Sequence, residues 1–277
     1  MTEALLDNEP LVRMGCFLFM LIGVALWEVA APRRHTIISR WLRWPNNLGI
    51  VALNSIVVRL IFPTAAIGIA ALAESRGWGL FNIIALPTWV AITASVVLFD
   101  FAIYLQHLLF HAVPVLWRFH RMHHADLEFD VTTGSRFHTV EILLSMGIKF
   151  LVVVTLGAPV VAVLIFEVLL NATSMFNHGN VRISSRLDRK MRLFIVTPDM
   201  HRVHHSIRPE ETNSNFGFNF PWWDRFLGTY RAQPAADHEN MTIGIERFRT
   251  QRDLWLDRML VQPLLGDANA HPIHRNT

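Results

Sequence analysis

The sequence predicts an all-α integral membrane protein with about four membrane-embedded elements, the last a helical hairpin, and a cytosolic cap of histidine-rich helices. Three observations lead to this fold class. The 277 residues are 52% hydrophobic and only 17% charged, whereas a soluble domain carries about 25% charged residues. The apolar residues are gathered into four long runs. At the end of the third run and between the runs, histidines recur at spacings that fit one face of a helix.

Composition narrows the kinds of site and partner. The chain has one cysteine, Cys16, inside the first apolar run, so neither a disulfide framework nor a cysteine metal site is expected. The net charge of +3 is modest, and we expect no nucleic-acid partner. The acidic N-terminus lacks the basic segment of a signal peptide, so the first apolar run is expected to stay as a membrane anchor.

The first three apolar runs predict membrane-spanning helices. Residues 11–31 and 48–73 are each long enough to cross a hydrocarbon core, which takes about 20 helical residues. The loop 32–47 between them carries four arginines and no acid, which predicts that it is cytoplasmic. The third helix, predicted over 87–111, would be about 37 Å long. Its C-terminal end is therefore expected to project into the cytoplasm.

The fourth apolar run, 142–176, predicts a helical hairpin. As a single crossing, it would separate the last histidines from the earlier ones by the thickness of the membrane. Gly157-Ala158-Pro159 divides the run into two halves, and Gly with Pro is a turn signal. We therefore expect the chain to enter the membrane and return to the same side, with the depth of each half left open. The basic segment 182–192 that follows supports a cytoplasmic position.

Eight of the fourteen histidines fall into three blocks. The blocks are His107 and His111; His120, His123 and His124; and His201, His204 and His205. Residues at i, i+3 and i+4 share one face of a helix, so each block directs its imidazoles one way. Thr197 and Pro198 are typical of a helix start just before the third block. Three such faces turned toward one another would bind a transition metal. The competing interpretation is a chance cluster of histidines.

A polar stripe runs along the third predicted helix. Asp100, Tyr104, His107 and His111 lie within about 60° of one another on a helix. Polar residues inside a membrane are costly and are often functional, so we expect the stripe to belong to the site. The alternative is a buried ladder whose members only satisfy one another.

Further motifs connect these histidines in a defined order. They are Asp100-x3-Tyr104, Trp117-Arg118-Phe119, Thr132-Thr133-Gly134-Ser135-Arg136-Phe137-His138-x2-Glu141, Asn177-His178-Gly179-Asn180, Asn215-Phe216-Gly217 and Trp223-Asp224-Arg225-x2-Gly228-Thr229-Tyr230. With the three blocks, they resemble the fatty acid hydroxylase / sterol desaturase superfamily of membrane di-iron oxygenases over residues 87–231. Leu108 and Thr139 depart from the usual arginine and proline, and neither departure touches a histidine.

The resemblance implies two iron ions held by the three blocks and His178, with O₂ as cosubstrate. Zinc is a possible occupant in purified protein. His138 is implied either as a further ligand or as a residue that orients one. No catalytic residue is expected beyond the metal ligands. Asp100, Tyr104, Glu141, Asp199 and Asp224 are candidates for orienting the imidazoles through their free N–H groups, with helix caps or ordinary ion pairs as the alternative for the acids.

The resemblance also divides the chain into three expected regions. Residues 1–80 would form membrane anchor helices, 81–231 the catalytic domain, and 232–277 a C-terminal interfacial helix and tail. A soluble cap over the site would give a similar sequence in the last region.

The expected activity is hydroxylation of a C–H bond in a lipid-like substrate such as a fatty acyl chain, sterol or ether lipid. Desaturation of a sterol, acyl or carotenoid chain by the same site is the alternative. A non-catalytic metal- or haem-binding membrane protein is a distant one. The chain carries no flavin, haem or iron–sulfur motif, so an external electron donor is expected, cytochrome b5-like or ferredoxin-like. The expected location is the inner membrane of a bacterium, with the site on the cytoplasmic side.

Overall fold

The computed structural model describes residues 8–84 and 86–266, and within them the chain forms helices and no strand. The long helices are α1 (Glu9–Ala30), α2 (Arg40–Ile61), α3 (Ala65–Arg76), α5 (Thr88–Ala112), α6 (Pro114–His124), α7 (Thr139–Leu156) and α8 (Val160–Asn177). The short α-helices are α4 (Leu80–Ile83), α9 (Ser185–Met191), α10 (Pro198–His204), α11 (Pro209–Thr212), α12 (Trp222–Phe226) and α13 (Leu256–Val261). Single 3₁₀ turns lie at Thr133–Ser135, Gln251–Leu254 and Gln262–Leu264.

Among the described residues, five stretches are long and apolar enough to cross a membrane. They are Glu9–Ala30, Arg40–Ile83, Thr88–Ala112, Thr139–Leu156 and Val160–Asn177. Large apolar side chains on the outer faces of these helices are exposed, including Phe19 and Leu151. Such surfaces suit lipid rather than water. The predicted all-α membrane bundle is confirmed.

The second predicted span is broken, and it begins earlier than the apolar run. Ser39 caps α2 by accepting a hydrogen bond from the backbone N–H of Trp41, so Arg40 and Arg43 belong to the helix and not to the predicted loop. The helix ends at Ile61, and α3 starts at Ala65. Pro63 explains the break, because proline disfavours the helical conformation of the residue before it and lacks an N–H.

The predicted hairpin is confirmed. Helix α7 ends at Leu156 and is followed by Gly157, which adopts the left-handed conformation with φ of +63°, where a side chain would be strained. Pro159 then precedes the first residue of α8. Phe99 of α5, Val153 of α7 and Phe166 of α8 belong to one apolar cluster, and the rings of Phe99 and Phe166 lie 5.1 Å apart. The hairpin therefore returns the chain to the end of the bundle where α5 finishes.

The remaining helices cover this end of the bundle. Met259 of the C-terminal segment is buried with Ile50 of α2 and Met122 of α6. Residues 1–7 of the expected anchor region and 267–277 of the expected C-terminal region lie outside the described residues. The division into three regions stays a prediction.

Candidate metal centre

Nine buried histidines converge at the covered end of the bundle, and they form two adjacent groups. The larger group contains His107, His111, His120, His124 and His204, and the smaller contains His123, His178, His201 and His205. Within each group, one ring nitrogen of every member lies within 4.8 Å of the others. The rings of His124 and His205, one from each group, stack at 4.5 Å. The second and third blocks therefore each supply histidines to both groups.

Five of these histidines have a hydrogen-bond acceptor at Nδ1. The Nδ1 of His107 donates to Phe216 O (2.8 Å), that of His120 to Glu141 Oε1 (2.7 Å) and that of His123 to Arg136 O (3.2 Å). The Nδ1 of His178 donates to Ser174 O (2.7 Å), and that of His204 to Ser214 O (2.8 Å). A carbonyl or carboxylate oxygen can only accept, so it assigns the proton to Nδ1. Nε2 of each ring then carries a lone pair and no hydrogen.

The Nε2 atoms of the smaller group lie too close together for neutral rings alone. His178 Nε2 is 3.2 Å from His123 Nε2, 3.2 Å from His205 Nε2 and 3.1 Å from His201 Nε2. Neither His123 nor His178 has a hydrogen on that atom, so their lone pairs repel each other at this distance. A cation between them would turn this repulsion into coordination, which is the arrangement expected of a metal site.

The larger group presents the same chemistry. His111 Nε2 lies 3.1 Å from His124 Nε2. The Nε2 atoms of His107, His120 and His204 are buried and have no hydrogen-bond partner among the described residues. A buried polar atom without a partner is costly, and a metal ion is a partner that all of these atoms could share. The donor set fits a transition metal that prefers imidazole, such as iron or zinc.

Burial keeps the imidazoles neutral. Desolvation lowers the pKa of His178 and of His204 to about 3. Desolvation, reinforced by the neighbouring histidines, also lowers the pKa of His123, His201 and His205 well below its ordinary value. Neutral imidazole is the form that binds metal, so the groups are prepared for a ligand at neutral pH.

Local sequence places each block. Pro114 starts α6 directly after α5 and bends the chain, so that the second block faces the first. Thr197 caps α10 by accepting from Met200 N–H, and Pro198 occupies the first turn. His178 immediately follows α8, at the end of the returning hairpin.

Glu141 is the candidate orienting residue that contacts a histidine directly. Its Oε1 accepts from His120 Nδ1 at 2.7 Å, and both side chains are almost fully buried. Its Oε2 has no partner among the described residues. Glu141 thus fixes the tautomer and the ring orientation of His120.

Asp224, Asp100 and Tyr104 contact none of the nine histidines and instead hold one loop. Asp224 accepts from the backbone N–H of Phe216 and of Gly217, both at 2.8 Å. Burial raises the pKa of Asp224 to about 6. The carbonyl of Phe216 in turn accepts from His107. Asp224 therefore acts on the site through one backbone peptide.

Asp100 and Tyr104 hold the same loop further along. Asp100 accepts from the indole N–H of Trp223 at 2.8 Å and from the backbone N–H of Asn219 at 3.1 Å. The Tyr104 hydroxyl lies 3.0 Å from Thr229 Oγ1. Of the predicted stripe on α5, Asp100 and Tyr104 thus support the loop beside the site, and His107 and His111 lie in the site.

His138 is in neither group. Its Nδ1 accepts from Val140 N–H as the cap of α7, and its Nε2 donates to the carbonyl of Leu260. Desolvation lowers the pKa of His138. The structure thus gives it a connecting role between α7 and the C-terminal segment.

Sequence reasoning missed a buried ion network beside the smaller group. Arg43 donates to both carboxylate oxygens of Asp126 at 2.8 and 2.7 Å, and to Asp130 at 2.5 Å. Burial would raise the pKa of Asp126, but Arg43 and Arg136 outweigh it and lower that pKa. Arg136 carries the carbonyl that accepts from His123. The signal that could have found this network is an arginine among apolar residues next to a predicted span.

Gly134 lets the loop lie against α8. A Cβ added at Gly134 would stand 2.4 Å from the carbonyl oxygen of Ser174 and 3.2 Å from His178 Nδ1. Only glycine allows this contact, and the Ser174 carbonyl is the acceptor that orients His178.

A cavity of about 330 Å³ reaches the larger group from within the bundle. Its lining includes His107 and His120 at one end and apolar side chains such as Ile103, Phe110 and Phe218. A mostly apolar cavity with a few polar groups is typical of a small-molecule site. Its size and position suit an apolar chain beside the histidines.

Comparison with known proteins gives consistent matches. The family model described as Fatty acid hydroxylase matches residues 92–229. Ornithine lipid hydroxylase OlsE of Rhizobium tropici is 31% identical over 57% of this chain and 46% of its own length. Alkylglycerol monooxygenase of Xenopus tropicalis is 25% identical over 73% of this chain and 45% of its own length.

Human cholesterol 25-hydroxylase is 31% identical over 48% of this chain and 48% of its own length. The chain therefore spans about half the length of these curated relatives. No solved structure matches the chain significantly.

Proposed function

Because the chain belongs to the fatty acid hydroxylase / sterol desaturase superfamily, we propose that it is a membrane di-iron oxygenase that hydroxylates a C–H bond of a lipid-like substrate. The observation that carries the proposal is the convergence of unprotonated Nε2 atoms in two adjacent groups at the end of a largely apolar cavity. The named relatives are hydroxylases and monooxygenases with lipid substrates, which favours hydroxylation over desaturation.

The two groups would each hold one iron ion through the Nε2 atoms directed inward. When bound, the two ions supply the activation of O₂ that attack on an unactivated C–H bond requires. One oxygen atom enters the C–H bond, and the other leaves as water, with two electrons and two protons delivered from outside. The residues of this chain hold the ligand rings and keep them neutral.

Aromatic side chains exclude water from the histidines. Phe137 stacks on His123 at 4.4 Å, and Phe129 lies against His178 at 5.4 Å. Excluding water protects a reactive site from side reactions. The walls of Phe110 and Phe218 continue this apolar surface into the cavity, where the substrate C–H bond would lie beside His107 and His120.

Electrons would come from a separate protein that docks on a basic surface beside the site. Arg182, Arg186, Arg189 and Lys190 are exposed there, whereas Arg192 is buried against Asp188. An acidic carrier, cytochrome b5-like or ferredoxin-like, would complement this charge. Loss of reduction rate on raising the ionic strength, with the iron content unchanged, is the expected result.

The same charges support a bacterial inner-membrane protein whose histidine site lies on the cytoplasmic side. The peptide N–H of Arg33 donates to the Asn180 carbonyl, so the basic loop after α1 lies next to the basic segment after α8. Both lie at the histidine end of the bundle. Positive charge concentrated at one end of a membrane bundle marks the cytoplasmic end.

The test is the lipid product formed in cells. A bacterial host that expresses the chain is supplied with isotopically heavy O₂, and its lipids are compared with those of a host that expresses His204→Ala. The proposal predicts a lipid that gains one heavy oxygen atom only with the unaltered chain. A lipid that loses two hydrogens and gains no oxygen would identify a desaturase instead. Identical lipids in both hosts, with iron-loaded protein and a reducing partner present, would contradict the proposal.

A further inference from the structure

One face of α7 carries a polar ladder along the cavity. Glu141, Ser145 and Lys149 are spaced four residues apart, so they lie on one side of the helix, and all three line the cavity. The rise of 1.5 Å per residue separates Glu141 from Lys149 by about 12 Å. Glu141 lies at the end of this ladder that contacts His120. Lys149 therefore marks the opposite end of the same slot.

This far end is charged. Lys149 Nζ donates to Glu167 Oε1 at 2.5 Å, and Arg13 donates to Glu167 Oε2. The three side chains come from α7, α8 and α1, and all of them line the cavity. Ionisable residues inside a membrane helix bundle are rare unless they serve a ligand, a path or a specific contact.

The charges at this end balance one another. Glu9 Oε1 accepts from Arg13 Nε at 2.8 Å, so two acids face two bases. A ligand with its own negative charge would break this balance in a poorly solvated site, which is unfavourable. A neutral polar group has no such cost.

Unused hydrogen-bonding capacity remains along the ladder. The Lys149 ammonium has three donors, and one acceptor for it is found among the described residues. Gln106 donates to Ser145 Oγ at 2.7 Å, and its own Oε1 is buried without a partner among those residues. Buried polar groups that lack partners favour a ligand that supplies them. A hydroxyl or carbonyl oxygen accepts from Lys149, and a hydroxyl can also donate.

We infer that the Arg13–Glu167–Lys149 end of the cavity binds an uncharged oxygen of the lipid, a hydroxyl or a carbonyl, while an apolar part of the lipid lies at His107 and His120. The inference rests on the proposed function only for the identity of the reacting end. The carbon that reacts is then set by its distance from that oxygen.

The test is a series of probes with one chain length and different ends. Dodecanol, methyl dodecanoate, sodium dodecanoate and dodecane are bound to the full chain in detergent without O₂. Each dissociation constant is obtained from the dependence of the thermal unfolding midpoint on probe concentration. We expect the alcohol and the ester to bind about tenfold more tightly than dodecane, as one added buried hydrogen bond predicts.

The double variant Lys149→Met/Glu167→Gln removes one charge of each sign and so leaves no unpaired charge. Because the charged donor is gone, it is expected to bind dodecanol, methyl dodecanoate and dodecane with affinities that differ by less than about twofold, and dodecanoate more weakly. Arg252→Met/Asp257→Asn removes one charge of each sign from an exposed ion pair and should keep the discrimination.

Three outcomes would overturn the inference. Equal binding of dodecane and dodecanol by the unaltered chain would show that the cavity makes no contact with the oxygen, whatever the variant does. Tightest binding of dodecanoate shows an anion site instead. Discrimination that persists in the folded double variant places the contact elsewhere. Iron content measured on the same samples separates this result from the proposed function, because probe binding does not require the metal.

Discussion

The hydrogen-bonding partner of each imidazole decides which nitrogen can face a metal. The sequence predicted all nine convergent histidines, eight from helical spacing and His178 from the resemblance. It could not predict that Phe216, Ser174 and Ser214 act through their carbonyls, because every residue has a carbonyl and the contact depends on the fold. Glu141 was predicted as an orienting residue, and it contacts His120.

Glu141→Leu tests this orienting contact. Without the carboxylate, His120 loses the acceptor that fixes its tautomer, and we expect the metal affinity of the larger group to fall roughly 10–100-fold. Glu210→Leu, at an exposed position, is the matched control and should bind metal normally. The measurement is metal retention against a competing chelator. Equal retention in the two variants would show that Glu141 does not orient His120.

At the scale of elements, turn residues were more informative than charged residues. Gly157 and Pro159 predicted the hairpin, and the structure contains it. Arg43 suggested a solvated loop, but it lies buried in α2 against Asp126 and Asp130. The partners of Arg43 are more than eighty residues away along the chain, so local sequence gave no sign of them.

Arg43→Met tests the contribution of this ion network to stability. The change leaves two buried carboxylates without their cation, and we expect the free energy of unfolding to fall by about 3–5 kcal/mol. Arg59→Met, at an exposed position of the same helix, should change it by less than about 0.5 kcal/mol. Denaturation of both variants in the same detergent gives the comparison. Similar stabilities would mean that the network is dispensable.

Gly134→Ala tests the contact between the loop and α8. The added methyl group would overlap the Ser174 carbonyl at 2.4 Å, so we expect α8 to move and His178 to lose its orientation. The smaller group should then lose its metal while the larger group retains its own. Gly147→Ala in α7 meets nothing within 4 Å and should retain both metals. Metal analysis of the two variants decides, and full occupancy in Gly134→Ala would contradict this account.

At the scale of the whole molecule, the described residues form a membrane helix bundle. A cavity inside the bundle extends to the histidines at one end. Apolar runs and their hydropathy predicted the membrane character, and residues 8–84 and 86–266 contain five stretches long and apolar enough to cross a membrane. The division of the histidines into a group of five and a group of four could not be predicted. It depends on how α6 and α10 face each other, since the second and third histidine blocks each supply both groups.

The central claim is that the chain binds two iron ions, one in the larger group of histidines and one in the smaller group. The direct measurement is iron content with the optical spectrum, on protein purified without O₂ in the presence of ferrous iron. His123→Ala changes the smaller group, and His204→Ala changes the larger. The unaltered chain should hold two irons and show no Soret band, and each variant should lose iron. A Soret band, or iron content that neither substitution changes, would contradict the di-iron centre.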